Sequence, residues 1–324
     1  NIFHSKRLEI VHRAKSYAGS IISQADDSWD PAEVANALWS NIAVEAILYG
    51  CEVASITEKI MDELDSIQVK VGAYILGVRR TCSHAAIRKE LGWEYMRSKI
   101  YKRKLLYWKR VAGLDGENWA NRAFEECKGA SSKAKGAAWN SLWYTEIFSI
   151  FVKCRITDIF SKHPSLNQSI KKWVDSWEES QTNESLKGSS LKYLPNYKTT
   201  RVPQQYINHS VGSKMLARFR LGDIRLVEHG LGKYKTCPVC SLKGIQFIEA
   251  HMTFECNGLD QSRTKWSSLI KSFDSPETEP VLRMKDFLGQ DKASPKALEM
   301  RGIYLDKLVT AWEEILDKDS SKED

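Results

Sequence analysis

The sequence predicts a mainly α-helical protein in two parts, a helical bundle followed by a small metal-stabilised C-terminal module. Three observations predict it. No proline occurs between Ala32 and His163, and capping residues and glycines punctuate that stretch at helical lengths. Apolar residues in the first half recur every three to four positions rather than every two. Near the C-terminal end, three cysteines and a histidine fall at ligand spacing. With 324 residues, 42% hydrophobic and 27% charged, the chain can bury a core and has room for about two domains of roughly 100–200 residues.

The elements follow in order. Asp30-Pro31-Ala32-Glu33 supplies an N-cap acceptor, proline at the first helical position and Glu at the third, which opens a helix running to Gly50. A second helix starts near Thr57. Ile60, Leu64, Ile67, Val71 and Ile75 form one apolar stripe along it, and Gly77 ends it. Ser83 caps a short helix that stops at Gly92, and a longer one spans Glu94 to Val111. From Gly113 to Gly136 the sequence is polar and broken. A helical region carrying Trp139, Trp143, Trp173 and Trp177 follows, its aromatics expected in the core rather than stacked on bases. Residues 178–206 read as a linker, since EESQTNESLKGS opens it with few apolar anchors. The domains are therefore expected at 1–177 and 207–324. Val211–Leu221 reads as a short basic helix, Leu298–Leu316 as a final helix, and the tail from Asp317 as disordered.

Charge is concentrated. The net charge is +7, yet Arg79–Arg110 holds eleven Lys/Arg against Glu90 and Glu94, a net of +9. Residues 187–243 hold eleven more against Asp223 and Glu228, again +9, so the remainder is acidic at −11. Two such segments point to a polyanion partner; the alternative is a solvated helix face. On the Glu94–Val111 helix, Met96, Ile100, Tyr107 and Val111 lie on one side. Lys99, Lys102, Arg103, Lys109 and Arg110 fall largely on another, where they are expected to meet phosphates. Arg218, Arg220, Lys233 and Lys235 are expected to do the same in the second segment, with Tyr234 placed to stack on a base or to support the metal fold.

Four residues are spaced Cys237-x2-Cys240-x10-His251-x4-Cys256. Cys-x2-Cys lets two thiolates grip one ion from a tight turn, and His-x4-Cys completes a tetrahedron. Three thiolates and one imidazole in a closed set favour a structural Zn²⁺, with no open position for an activated water. The competing reading is a pair of buried free thiols beside an unrelated histidine. Cys51, Cys82, Cys127 and Cys154 show no metal spacing and are expected as ordinary thiols. Seven cysteines spread over this length do not suggest a secreted disulfide scaffold. No stretch reaches the roughly 18 uncharged apolar residues of a membrane span.

Several segments carry a resemblance. Ile47-Leu48-Tyr49-Gly50-Cys51-Glu52-Val53 is followed by the helix Leu64-Asp65-Ser66-Ile67-Gln68-Val69-Lys70-Val71, then Tyr74-Ile75-Leu76-Gly77-Val78, Glu90-Leu91-Gly92-Trp93 and Tyr107-Trp108-Lys109-Arg110. Ala217-Arg218-Phe219-Arg220-Leu221-Gly222 then precedes the Cys-Cys-His-Cys cluster. This order resembles the thumb and C-terminal zinc-binding region of non-LTR retrotransposon reverse transcriptases. The resemblance implies a thumb-like helical bundle that grips template-primer, RNA and target DNA as partners, an intracellular and nuclear setting, and a polymerase domain upstream in the same parent protein. The first methionine is Met61, in keeping with an expected upstream portion.

Catalytic residues are not expected in this chain. The family's polymerase site is an aromatic-x-Asp-Asp hairpin whose carboxylates bind two Mg²⁺. Gln24-Ala25-Asp26-Asp27 lacks the aromatic residue, runs into Ser28-Trp29 rather than an apolar strand, and is read as a loop. No phosphate-binding Gly-x4-Gly-Lys loop and no Gly-x-Ser-x-Gly elbow occur. Asp274, Glu277 and Glu279, interrupted by Pro276, make a weak case for a nuclease. The expected function is nucleic-acid binding; the alternatives are a zinc-containing protein-interaction module and, less favoured, a metal-dependent nuclease.

Overall fold

The computed structural model describes residues 2–133, 140–156, 166–187, 203–224, 236–245, 247–273, 279–289 and 293–320. Its elements in chain order begin with α1 (Ile2–Asp26), α2 (Pro31–Leu38), α3 (Val44–Ile47), α4 (Glu58–Leu76) and α5 (His84–Glu90). The longer helices α6 (Met96–Ala112), α7 (Trp119–Lys133), α8 (Asn140–Lys153) and α9 (Leu166–Lys187) follow. Then come α10 (Val211–Arg220), α11 (Ile248–Phe254), α12 (Asp260–Thr264), α13 (Ser267–Ile270), α14 (Pro280–Phe287) and α15 (Pro295–Ser320). The protein is mainly helical, and among the described residues the only β pairing is an isolated bridge between Thr236 and Lys243. No described helix is long and apolar enough to cross a membrane.

Local chemistry explains the boundaries. The Asp30 carboxylate accepts from the Glu33 amide at 3.0 Å and starts α2. A π-helical turn at Trp39–Ala43 joins α2 to α3, and the run ends at Gly50, whose φ is +77°. The stripe read on α4 is buried at Leu64, Ile67, Val71 and Ile75, and Gly77 closes the helix with φ +64°. Ser83 and Ser210 accept from the amides of Ala86 and Ser213, capping α5 and α10.

Three stretches depart from the sequence expectation. The polar region after Gly113 contains α7, which packs on α8 through Phe124, Trp143 and Tyr144. Residues 178–187 are the second half of α9, not a linker. Ile170, Val174, Glu178 and Thr182 are buried at four-residue intervals, so the inward stripe continues through polar side chains. The C-terminal helix runs on to Ser320, past the expected start of disorder.

The chain divides into two compact units: residues 1–26, 35–71 and 93–188, and residues 27–34, 72–92 and 189–324. The sequence boundaries at 177 and 207 follow chain order; the compact units interleave. In the first unit, α6 packs on α7, α8 and α9, with Tyr101 against Trp177 and Trp108 edge-on to Phe151. In the second, α10 lies on α15 with backbones almost touching: a Cβ added at Gly302 would stand 1.9 Å from the Gly212 carbonyl oxygen. Phe219, Phe287, Tyr304, Leu308 and Trp312 fill its core.

Candidate functional site

The Cys-Cys-His-Cys set is assembled within the second unit. Cys237 opens a tight turn: its carbonyl accepts from the Ser241 amide at 2.8 Å, and its own amide donates to Leu242 O at 2.8 Å. Ser241 at φ +58° and Gly244 at φ +82° let the chain reverse there. Cys240 thereby returns toward Cys237, whose sulfur accepts the Cys240 amide at 3.4 Å. From the other side, α11 presents His251, and the Cys256 amide donates back to His251 O at 2.8 Å, curling Cys256 under the helix end.

All four ligand atoms lie within 4.8 Å of one another. Cys237 Sγ and Cys256 Sγ are 3.8 Å apart, and Cys240 Sγ is 3.3 Å from His251 Nε2. A tetrahedral Zn²⁺ with bonds of about 2.3 Å to sulfur sets its sulfurs about 3.8 Å apart, so the spacing fits. Cys237, His251 and Cys256 are buried and Cys240 is half-buried. Burial raises Cys237 and, together with the adjacent Cys237 sulfur, pushes Cys256 up to about 12. Cys240, although burial works against it, is held low by the Leu242 amide and the neighbouring thiols. Such a crowd of thiols is poorly suited to hold negative charge by itself and well suited to share a divalent cation.

Sequence spacing missed what stands behind the histidine. Nδ1 of His251 lies 3.7 Å from Glu255 Oε2, and the other Glu255 oxygen meets Arg283 at 3.4 Å. Arg283 is buried over the Phe254 ring and donates to Phe273 O at 3.1 Å. A carboxylate at the far ring nitrogen is the usual partner of a metal-bound imidazole, and a Glu four residues after a helical His was a readable signal for it.

The first basic segment is placed differently from the sequence reading. Lys102 bridges Glu94 at 2.9 Å and Asp175 at 2.5 Å. Arg103 pairs with Glu45 and donates to Leu48 O at 3.2 Å. Lys104, wholly buried, meets Glu146 at 3.2 Å and the Ala54 carbonyl. Arg97 is ringed by Glu58, Asp62 and Asp65. Lys99 is half-buried and lowered by desolvation, Lys109 donates to Asn167 at 2.9 Å, and Arg110 is exposed. Apart from Glu94, the acids that answer these cations come from other parts of the chain, so local charge counting could not see them. A second carboxylate cluster, Glu94, Asp175 and Glu178, could geometrically accept a cation, but the Lys102 ammonium already occupies that role.

In the second basic segment, Arg220 is corrected outright. It is 2% exposed and cannot reach a phosphate. Its Nε donates to buried Glu90 at 2.8 Å and its Nη1 to Leu288 O at 2.8 Å and Gly289 O at 3.1 Å. Tyr206 donates to the same Glu90 carboxylate at 2.8 Å. Arg218 is half-buried and donates to Gly77 O at 3.0 Å. Three segments quoted for the resemblance, around Gly77, Glu90 and Ala217–Gly222, therefore meet in one unit. Lys233, Tyr234 and Lys235 lie outside the described residues, as do Trp139, Asp274 and Glu277. Asp26 ends α1 and Asp27 begins the turn after it, so the Asp-Asp pair is not in a hairpin. No protein-family model matches the chain, and comparison with curated proteins and with solved structures yields no match.

Proposed function

We propose that this chain is a nucleic-acid-binding C-terminal portion of a reverse transcriptase of the non-LTR retrotransposon type, with a structural zinc centre and no polymerase site of its own. The observation that carries this reading is the four-ligand cluster: it stands downstream of Ala217–Gly222, in the order the resemblance requires, with ligand atoms in tetrahedral reach. Cys237, Cys240, His251 and Cys256 would hold the ion, which when bound ties the knuckle turn to α11. The protein's own side chains then do the binding. Exposed Lys and Arg neutralise phosphates of RNA, DNA or a template-primer hybrid, giving affinity without sequence readout. An upstream polymerase domain of the same parent protein and a nuclear site of action belong to the same proposal.

The test is anisotropy titration of mixed-sequence RNA, duplex DNA and an RNA–DNA hybrid across a range of salt. The reading expects binding to all three, with affinity falling linearly in log–log form as salt rises. A chain that binds none of them at low salt is not a nucleic-acid-binding portion of anything. That outcome leaves the rival, a zinc-containing docking module, in possession of the field. Cleavage of any probe in Mg²⁺ by the chain alone would support the nuclease alternative instead.

A further inference from the structure

The cations of α6 are largely turned inward, which leaves open where a phosphate backbone would be held. The second unit offers a different surface. After α4, Gly77 reverses the chain and Arg79 and Arg80 follow in the turn that leads to the Ser83 cap of α5. Against this turn stands the outer edge of α10. The Lys214 stem crosses Gly77 so closely that a Cβ there would meet its Cγ at 2.9 Å. One helical turn further on, Arg218 donates to the Gly77 carbonyl at 3.0 Å.

The same corner is fastened from below. Asp223, 6% exposed, accepts from the Arg79 amide at 2.8 Å and pairs with its guanidinium, while the Asp223 amide donates to Arg218 O at 2.8 Å. Three cations from two distant stretches of sequence thus meet at this corner, Arg79, Lys214 and Arg218, and Arg80 follows Arg79 in the same turn. Arg80 is exposed, the Arg79 side chain is 47% exposed, and Lys214 and Arg218 are half-exposed. His209 adds a ring nitrogen 3.5 Å from the Lys214 ammonium. Like charges one helical turn apart, as at Lys214 and Arg218, destabilise a helix. Here the fold assembles them where both oxygens of the buried carboxylate already accept from Arg79.

We propose that Arg80, Lys214 and Arg218, positioned by the Gly77 turn and by the Arg79–Asp223 clasp, form the phosphate-backbone contact surface of this protein. The ligand is the sugar–phosphate backbone of a nucleic acid, and the inference rests on the nucleic-acid reading above. Lys214 and Arg218 are separated by about 6 Å along the helix axis, while a nucleic-acid strand offers a phosphate every 3.4 Å or so of duplex axis. The pair can therefore address phosphates about two steps apart on one strand, with Arg80 supplied by the adjoining turn. An extended row of half-exposed cations suits a repeating polyanion better than a single small anion, which would need enclosure.

The experiment compares Arg80→Gln/Lys214→Gln with the wild type and with Lys171→Gln/Lys172→Gln, an exposed pair on α9 that removes equal charge. Each is titrated with a mixed-sequence RNA–DNA hybrid at several salt concentrations. The proposal expects the salt slope of the first variant to fall by about two, at roughly 0.9 for each phosphate no longer neutralised, with at least about a tenfold loss of affinity at low salt. The control should keep the wild-type slope. Arg80→Glu alone, at an exposed turn position, should lower affinity without moving the thermal midpoint. A wild type that binds while both variants bind equally well overturns this surface and leaves the broader reading standing. A wild type that does not bind overturns both.

Discussion

Arg218 and Arg220 are two residues apart on α10 and answer to different neighbours, because 100° per residue turns the second one into the core. Arg220 ends in a buried network: Glu90 balances its charge, Tyr206 donates to the same carboxylate, and two carbonyls accept from Nη1. A fully buried pair of this kind is strongly destabilising to break from one side, because the surviving charge is left without a partner. Glu90→Ala should therefore lower the unfolding free energy of the second unit by about 3–5 kcal/mol in urea melts. Tyr206→Phe, which removes one donor to the carboxylate and leaves the ion pair, should cost less, about 1.5–3 kcal/mol. Equal effects from the two would show that the ion pair is not what holds this corner. None of this was visible in the sequence, where Arg220 looked like its neighbour and Glu90 sat 130 residues away as a minor acid in a basic run.

At the scale of elements, capping chemistry and glycine punctuation were legible, since Asp30, Ser83, Gly77 and Gly92 act locally. The continuation of α9 was not, because its buried stripe changes from Ile170 and Val174 to Glu178 and Thr182, and polarity alone suggests solvent. The Cys-Cys-His-Cys cluster was legible because ligand spacing is itself a local code; its support by Glu255 and Arg283 depends on α14 and was only half readable. Chelation should release the segment from Thr236 to Cys256 to proteolysis while the far-ultraviolet helical signal changes little, since α11 is the only helix among its described residues. Recovery of fewer than one equivalent of zinc from protein purified without chelator would refute the ligand set. The α10–α15 crossing makes a separate prediction. Gly302→Ala would drive a methyl group into Gly212 O, so it should destabilise by about 1–3 kcal/mol or more, against the slight gain alanine normally brings inside a helix.

For the whole molecule, the decisive quantity is which of the charges remain available to a partner. The net of +7 hides two +9 segments on an acidic remainder, and the structure pairs much of the first segment with that remainder. Cation count in sequence therefore overstates the phosphate-binding capacity, and charge that stabilises the fold should separate experimentally from charge that binds. Lys102→Gln/Arg103→Gln removes two positive charges and leaves Glu94, Asp175 and Glu178 facing one another within 4.8 Å. Losing hydrogen bonds between charged groups at part-buried positions should lower stability by about 1–3 kcal/mol. The salt slope of nucleic-acid binding should stay at its wild-type value, because neither side chain is free to meet a phosphate. Arg80→Gln/Lys214→Gln should do the reverse, keeping the thermal midpoint and flattening the slope. If instead the α6 variant flattened the slope, its internal pairs would have to open on binding, and the bundle itself, rather than the turn beside α10, would be the gripping surface.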